Sequence, residues 1–402
     1  MSQNRVKHNK HTIFVCTAMF VAFFYMMYHY QGQNDYHIVN PPEEYNFGTT
    51  TEETIGGNAT TTATTTATVN KKPSPVGREI GIAAGSKLVG FSDEALESEM
   101  MGIVGLGGEW VRFDIEWGFV QFSSPLKYDW SKYDRIINII IKYNLKPLPI
   151  LTYTPEWARV PGCRGGSKCP PADPQAFAEF AAEAVRRYKK KNVHYWQIWN
   201  EPNSYDFWAT KADCKAYTEL LKATTPAMKK VDSQAFIVTG GVAQVGNTDV
   251  NIAPLDFIEC IYKNGGKNYF DAIGFHAYTF PNLPSQSINN GWGRMGLGDN
   301  SVVKIMQKYN DTNKKIWITE FGAPTGGPDP RWYLNEEKQA EYYEDAFKLY
   351  KKSDWAGPLF IYTYLDSGFE PTTNENFFGI VRFDGSFKPA YKKIQELINQ
   401  GI

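Results

Sequence analysis

The sequence predicts an α/β protein whose main domain is a closed barrel of eight parallel strands, each followed by a helix. From residue 78 onward, eight short apolar runs alternate with eight longer amphipathic ones over about 325 residues. This alternation is typical of a parallel sheet with helical crossovers, and the count and length match a (β/α)8 barrel. An open, doubly wound sheet is the alternative. It usually carries a Gly-x-Gly-x-x-Gly turn after its first strand, which GIAAGSKLVG (81–90) lacks.

Eight apolar runs are predicted to form the strands, because each is short and rich in β-branched and aromatic residues. In chain order they are REIGIAAG (78–85), WVRFDI (110–115), KPLPILTY (146–153), HYWQIWN (194–200), AFIVTGG (235–241), FDAIGFHAY (270–278), KIWITEFG (315–322) and LFIYTYLD (359–366). In a parallel barrel the carboxyl ends of all strands open on one face, so we expect the polar residues there to share one pocket.

Eight amphipathic segments are predicted to form the helices between these strands. They are SDEALESEMMGIVG, SKYDRIINIIIKY, DPQAFAEFAAEAVRRYKK, KADCKAYTELLKATTPAMKKV, APLDFIECIYKNG, SVVKIMQKYN, NEEKQAEYYEDAFKLYKK and FKPAYKKIQELINQ. The first begins with Ser92 as its cap and acids in its first turn, and the third has Asp173 as its cap and Pro174 at the first helical position. The segment NNGWGRMGLGDN (289–300) is too rich in glycine for a helix and is predicted to be a loop over the groove or a surface connection.

Residues 1–77 are predicted to lie outside the barrel. Thr12 to Tyr28 is apolar and uncharged, and three basic residues precede it. Its length fits either a membrane span or the core of a cleaved signal peptide, and we favour an uncleaved signal anchor because no small-residue cleavage site follows. The prediction is a cytoplasmic tail (1–11), a signal anchor (12–30) and a single-pass type II membrane protein with an extracellular or lumenal barrel. The barrel is secreted instead if the segment is cleaved.

A threonine-rich segment, residues 31–77, is predicted to be a disordered stalk before the barrel domain (78–402). After Phe47 it has almost no large apolar residues and cannot bury enough surface to fold. Its threonine runs near proline also resemble an O-glycosylated stalk. Asn58 and Asn310 begin Asn-x-Thr sequons, which are N-glycosylation sites only if the protein is exported.

The charge balance excludes some partners and the cysteines indicate a compartment. There are 42 Lys and Arg against 43 Asp and Glu, so no strong field favours nucleic acid. Apart from Cys16 in the apolar run, four cysteines lie in the predicted exported part, and they allow three pairings. We favour Cys163 with Cys169, which enclose a short glycine-rich loop, and then Cys214 with Cys260. Unpaired thiols or a zinc site are the alternatives, although no Cys-x-x-Cys spacing occurs.

Polar and aromatic residues end the predicted strands and are candidates for one pocket. They are Arg112, Asp114, Tyr153, Asn200, Glu201, His276, Tyr278, Glu320, Tyr364 and Asp366. Two isolated glutamates, Glu201 and Glu320, end strands four and seven across the barrel mouth. Two carboxyl groups in one pocket are what cleavage of a glycosidic bond needs, since one protonates the leaving oxygen and the other attacks the anomeric carbon or activates water. Asn200 and Glu201 can share the pocket only if their strand bulges or ends there.

These strand ends resemble the motifs of clan A glycoside hydrolases. IWNEPN (198–203) and WITEFG (317–322) are similar to the acid/base and nucleophile motifs of the clan, HAY (276–278) is similar to its sixth-strand motif, and Arg112 to its second-strand arginine. TPEWA (154–158) and NEPNSYDFW (201–208) resemble family 39 and its relatives more than family 5. The resemblance implies that Glu201 is the acid/base, that Glu320 is the nucleophile, and that Asn200 binds the sugar 2-hydroxyl.

The sequence departs from the clan at two positions. Tyr364 stands where many members carry a platform tryptophan, which puts the innermost sugar subsite in doubt, and no histidine ends the third strand, unlike family 5. The other expected substrate-binding residues are Arg112, Asn200, His276 and Tyr278, with Trp157, Trp208 and Trp292 as candidate sugar platforms because they lie in loops after strands.

The predicted function is that of a retaining β-glycosidase acting on an oligo- or polysaccharide, with no metal or organic cofactor. Its expected partners are this carbohydrate and, through the anchor, a membrane, with no nucleic acid. The alternative is a catalytically inactive, carbohydrate-binding barrel that acts as a surface adhesin, although a binder would not need both glutamates. A barrel lyase or aldolase is disfavoured because no lysine ends any predicted strand.

Overall fold

The computed structural model describes residues 78–401. The predicted tail, signal anchor, stalk and Asn58 sequon lie outside the described residues. Within 78–401, none of the helices has both the length and the apolar composition that crossing a bilayer requires.

The sheet is a closed barrel of eight parallel strands in sequence order, with β8 paired to β1. The strands are β1 (Ile80–Gly85), β2 (Trp110–Glu116), β3 (Lys146–Thr152), β4 (Tyr195–Ile198), β5 (Phe236–Thr239), β6 (Ala272–His276), β7 (Lys315–Phe321) and β8 (Ala356–Ile361). All eight predicted strands are confirmed. The last is displaced, since it begins three residues before the predicted start and ends five before the predicted end.

Helices cover the outside of the barrel. They are α1 (Asp93–Leu106), α2 (Trp117–Val120), α3 (Ser131–Lys142), α4 (Pro174–Tyr188), α5 (Cys214–Val231), α6 (Pro254–Lys263), α7 (Gly291–Gly296), α8 (Val302–Lys308), α9 (Glu336–Lys351) and α10 (Pro389–Asn399). The eight predicted helices and both predicted caps are present, since the Ser92 side chain accepts from Ala95 N and the Asp173 side chain accepts from Gln175 N.

The prediction that residues 289–300 form no helix is wrong, because Gly291–Gly296 forms the short helix α7. The Asn290 side chain caps it by accepting from Gly291 N. Trp292 and Met295 on this helix are fully buried. Burial of two large side chains therefore outweighs the low helix propensity of the glycines.

Aromatic side chains fill the lower part of the barrel interior. The Trp110 ring contacts Tyr195, Trp317 and Phe360 with ring centroids 5.0 to 6.3 Å apart. Gly81 on β1 provides the space, because a Cβ there would lie 2.6 Å from Trp110 Cβ. This packed plug closes the lower end of the barrel, so that a pocket can open only at the carboxyl ends of the strands.

Two disulfides join segments outside the sheet, and both predicted pairs are confirmed. Cys163 and Cys169 close the loop after β3, with Cα atoms 6.0 Å apart. Cys214 at the start of α5 is bonded to Cys260 on α6, with Cα atoms 6.1 Å apart.

Candidate active site

The end of β4 brings two neighbouring residues into the barrel mouth. The strand ends at Ile198, and the residues that follow break its alternation, with φ of 69° at Trp199 and 44° at Glu201. Positive φ is unfavourable for such residues and occurs mostly where the surrounding structure enforces it. Here Trp199 N donates to Leu151 O at 3.0 Å and Glu201 N donates to Gly241 O at 3.0 Å. The expectation that the strand ends there is therefore confirmed, and Asn200 and Glu201 both reach the site.

A bulge in β7 directs the second glutamate inward. Trp317 packs inside the barrel, so regular alternation would turn Glu320 outward. The pairing with β6 shifts, however, from Phe275 opposite Ile318 to His276 opposite Glu320. One extra residue in β7 changes which side chains face the interior, and Glu320 joins Glu201 at the mouth.

Arg112 on β2 is the central cation of the site and is only 1% exposed. Its Nη1 donates to Glu320 Oε1 at 2.8 Å, its Nη2 to Asn200 Oδ1 at 2.7 Å, and its Nε to Gln197 Oε1 at 2.7 Å. A buried guanidinium needs several partners to offset its loss of hydration, and here they also fix three side chains of the site. Gln197 was missed by the sequence reasoning, although alternation along β4 from Tyr195 places it inside the barrel.

His276 links the two glutamates. Its Nδ1 lies 2.7 Å from Glu201 Oε1 and 3.3 Å from Glu320 Oε2. Its Nε2 lies 3.5 Å from Arg112 Nη2, which can only donate. We therefore assign the ring proton to Nδ1, where it points at the carboxyl pair. Glu201 Oε2 makes no hydrogen bond to a described residue and is the atom free to hold a proton.

Glu320 is held as a carboxylate by its neighbours. Burial opposes its ionisation, but His276, Arg112 and the Tyr278 hydroxyl outweigh burial and keep the pKa of Glu320 below its usual value of 4.5. Tyr278 donates to Glu320 Oε2 at 2.8 Å, while Arg112 holds Oε1. Both carboxylate oxygens therefore accept a hydrogen bond, which favours the charged form.

The carboxyl groups of Glu201 and Glu320 are close together. One oxygen from each and one His276 nitrogen lie within 4.8 Å of one another. These atoms could also be ligands of a metal ion, but the Arg112 guanidinium already contacts Glu320, and a second cation beside it would be repelled. The arrangement fits a pair of carboxyl groups sharing one histidine better than a metal centre.

The interpretation of Tyr364 as the residue in the platform position is wrong, and Tyr362 faces the site instead. Tyr364 turns away from the barrel mouth, because its hydroxyl lies against Gly102 of α1 and its ring contacts Tyr391 of α10. The Tyr362 ring lies 6.4 Å from that of Tyr278, and its hydroxyl donates to Glu375 Oε2 at 2.8 Å. Because β8 ends at Ile361, Tyr362 directly after the strand meets the pocket, whereas Tyr364 packs against α1.

Four other strand-end or loop candidates have different environments. Trp208 and Trp292 are 2% and 0% exposed and belong to the hydrophobic core, so neither is a sugar platform. Trp157 is 38% exposed, and its Nε1 donates to Gln121 O at 2.9 Å. Asp366 accepts from Lys388 Nζ at 2.8 Å inside the fold and is a structural ion pair.

The predicted sequon at Asn310 lies in the described part, where Asn310 follows α8 and is exposed. An exposed turn is the kind of position at which a glycan can be accommodated.

The comparisons with known proteins agree with the geometry. The model for Glycosyl hydrolases family 39 matches residues 120–333. A β-xylosidase from Caldicellulosiruptor saccharolyticus is 31% identical over 320 residues, covering 73% of this chain and 62% of that protein.

Solved structures share the fold. A family 39 glycoside hydrolase from the gut symbiont Bacteroides cellulosilyticus WH2 has a TM-score of 0.64 and 24% identity over 79% of this chain and 63% of that one. A GH5_18 protein from Streptomyces cattleya, in complex with GlcNAc, has a TM-score of 0.62 and 12% identity over 81% of each chain. The chain spans less than two thirds of the length of the xylosidase and of the Bacteroides protein. Because the family model matches more than half of this chain, the chain belongs to glycosyl hydrolases family 39, in clan A, as the motifs around Glu201 and Glu320 predicted.

Proposed function

We propose that the protein is a retaining β-glycosidase that hydrolyses O-glycosidic bonds of an oligo- or polysaccharide. The observation that carries the proposal is the approach of the two carboxyl groups, with oxygens within 4.8 Å of each other and of His276 Nδ1. Retaining enzymes hold their carboxyl groups about 5 to 5.5 Å apart, whereas inverting enzymes leave about 6.5 to 9.5 Å for a water molecule. The short separation favours direct attack by one carboxylate.

Glu320 is the proposed nucleophile and Glu201 the proposed acid/base. Protonated Glu201 gives its proton to the glycosidic oxygen while a Glu320 oxygen attacks the anomeric carbon, and the bond to the leaving group breaks. Water then attacks the anomeric carbon of this glycosyl ester, its proton passes to Glu201, and Glu320 is released as a carboxylate. Arg112 and Tyr278 support this assignment because they keep Glu320 ionised, while the unpartnered Glu201 Oε2 is able to carry the proton.

The substrate-binding roles follow from the same contacts. Asn200 is fixed by Arg112, which leaves its amide nitrogen free to donate to a sugar hydroxyl, as in the resembling clan. Tyr362, with its ring edge-on to Tyr278, provides the aromatic surface beside Glu320. The name of the C. saccharolyticus relative makes β-xylosides the first substrates to try.

We also propose that the barrel acts outside the cytoplasm, on a membrane anchor that the apolar segment 12–30 provides. Two disulfides in the barrel support this, because such bonds persist mainly in oxidising compartments. Residues 31–77 would then separate the enzyme from the membrane surface.

The stereochemistry of the product tests the mechanism. Hydrolysis of a β-aryl glycoside followed by proton NMR should give the β-anomer first, before mutarotation mixes the two forms. Glu320→Gln should abolish turnover, because it replaces the nucleophile by an amide. A first-formed α-anomer would show inversion and would overturn the assigned roles.

A further inference from the structure

We propose that Asp114, Glu116 and Lys168 form a second sugar subsite beside Glu201, which accepts an uncharged sugar and disfavours an acidic one. This inference rests on the proposed glycosidase function and concerns the sugar next to the one that Glu320 attacks. None of the three side chains has a part in the mechanism described above.

The two acids continue the row of side chains to which Arg112 belongs. Alternation along β2 places Trp110, Arg112, Asp114 and Glu116 on the inner face of the barrel, rising from the aromatic plug toward the mouth. Asp114 is only 8% exposed. Glu116 is the last residue of β2 and pairs with Thr152 at the end of β3, so it lies at the rim.

Lys168 enters the mouth from the loop that the Cys163–Cys169 disulfide closes. Its Nζ lies 3.0 Å from the centroid of the Tyr153 ring and 5.0 Å from that of Phe207, a geometry that favours a cation. The backbone of the loop is also anchored, because Thr154 N donates to Ser167 O and Ala209 N to Lys168 O, both at 2.9 Å. The ammonium group is therefore placed by the fold.

None of these three charged groups makes a hydrogen bond or a close ion pair with any residue from 78 to 401. Burial without a partner disfavours the charged form of a side chain. It raises the pKa of Asp114, and together with the nearby Asp114 charge it raises the pKa of Glu116 to about 7. Burial also lowers the pKa of Lys168 to about 8, although Asp114, Glu116 and Glu201 oppose it. Lys168 thus lies within the field of all three acids, including the acid/base.

Buried groups that lack partners point to a ligand that supplies them. Sugar hydroxyls donate to carboxylates and accept from an ammonium group, so one pyranose ring can satisfy all three residues. Lys168 lies on the Tyr153 ring, which contacts the ring of Trp199, two residues before Glu201, with centroids 5.6 Å apart. The cluster is therefore on the side of the mouth where Glu201 protonates the leaving oxygen, next to the scissile bond. The cluster therefore has the composition of a subsite for a neighbouring sugar.

The charge around the mouth decides which sugars fit. Glu201 is protonated in the proposed mechanism and Glu116 is partly protonated near its pKa of about 7, but the carboxyl groups of Asp114, Glu320 and Glu375 still outnumber the two cations, Arg112 and Lys168. A uronic acid would add a carboxylate to this excess and would be repelled in a site of low dielectric constant. A neutral sugar meets no such repulsion.

The test compares substrates that fill one subsite or two. Lys168→Met should lower kcat/KM at least about tenfold for a neutral β-linked disaccharide, as expected for a lost charged hydrogen bond, and by less than about threefold for the matching aryl glycoside. Glu116→Gln should also lower kcat/KM much more for the disaccharide than for the aryl glycoside. It serves as a second variant in case Lys168→Met does not fold. Lys190→Met, at an exposed lysine before β4 on the opposite end of the barrel, should change neither substrate.

The charge preference has its own readout. The wild-type protein should cleave the neutral disaccharide at least about tenfold better than one with a uronic acid as its second sugar, and Asp114→Asn should narrow that ratio. Equal losses on disaccharide and aryl glycoside, or a preference for the acidic disaccharide, would overturn the inference. Absence of aryl glycoside hydrolysis by the wild type would instead refute the proposed function. Calorimetric binding of the two disaccharides to Glu320→Gln would then still test the subsite.

Discussion

Replacing Arg112 by methionine tests whether one cation holds the site together. The substitution keeps much of the side-chain volume but removes the hydrogen bonds to Glu320, Asn200 and Gln197 at 2.7 to 2.8 Å. Arg112 is 1% exposed and the Glu320 side chain 13%, so solvent can replace little of what is lost. Breaking a buried pair by removing one partner costs about 3 to 5 kcal/mol, and we expect Arg112→Met to lower the free energy of unfolding by that amount at pH 7.

The cost should decrease as the pH falls. In the wild type the pKa of Glu320 is lowered, so its ionised form contributes stability above the ordinary glutamate pKa and loses it only at more acidic pH. Without Arg112 only His276 and Tyr278 oppose the effect of burial, so the pKa of Glu320 is higher in the variant than in the wild type, and the variant relieves its buried charge by taking up a proton at a higher pH. The difference in stability between the two proteins should therefore narrow from pH 7 toward pH 4.5.

Urea denaturation of both proteins at several pH values measures this difference. Arg187→Met is the matched control, because Arg187 pairs with Asp134 on the surface, where such pairs contribute about 0 to 1 kcal/mol. The double variant Arg112→Met, Glu320→Gln should recover part of the lost stability, since no unpaired charge remains. A loss below about 1 kcal/mol at pH 7, or a difference that does not depend on pH, would refute the reasoning.

Four further predictions address other parts of the molecule. Glu201→Ala should still form the glycosyl-enzyme from aryl glycosides with good leaving groups, but it should hydrolyse this intermediate slowly. We therefore expect a burst of aryl alcohol without steady turnover. An equal loss of both steps would contradict the acid/base role. Tyr362→Ala should raise KM strongly by removing an aromatic surface, while loss of activity without change in KM would contradict a binding role. Cys163→Ser should lower stability by roughly 2 kcal/mol, measured by urea denaturation, and peptide mapping that finds Cys163 and Cys169 as free thiols would contradict the bond. Protease added outside intact cells or vesicles should digest the barrel, and complete protection would contradict the topology.

The fold could be predicted because its determinants are local in the sequence. Alternating apolar and amphipathic segments identified all eight strands and eight of the ten helices in residues 78–401, and caps such as Ser92 and Asp173 were readable from adjacent residues. The two glutamates were also found this way, because each ends an apolar run at a strand's carboxyl end. Helix α7 was missed because its stability comes from burial of Trp292, which the glycine-rich sequence around it does not reveal.

The orientation of the site residues depended on contacts between distant segments. Simple alternation would separate Asn200 from Glu201 and would turn Glu320 outward. Positive φ at Trp199 and Glu201 and the bulge between β6 and β7 reverse both expectations. Such features arise where hydrogen bonds from neighbouring strands compensate an unfavourable backbone, so they are properties of the assembled barrel.

By itself the sequence determined the barrel, the order of its elements, the pair Glu201 and Glu320, and a family resemblance that the comparisons confirmed. Only the tertiary structure decided that Tyr362 meets the pocket while Tyr364 packs under α1, and that Lys168 reaches the mouth from a disulfide-closed loop. The physical reason is that periodicity records which face of an element is apolar. The partner of a polar side chain depends on where the chain turns after its strand ends, and that turn is set by packing against segments far away in the sequence.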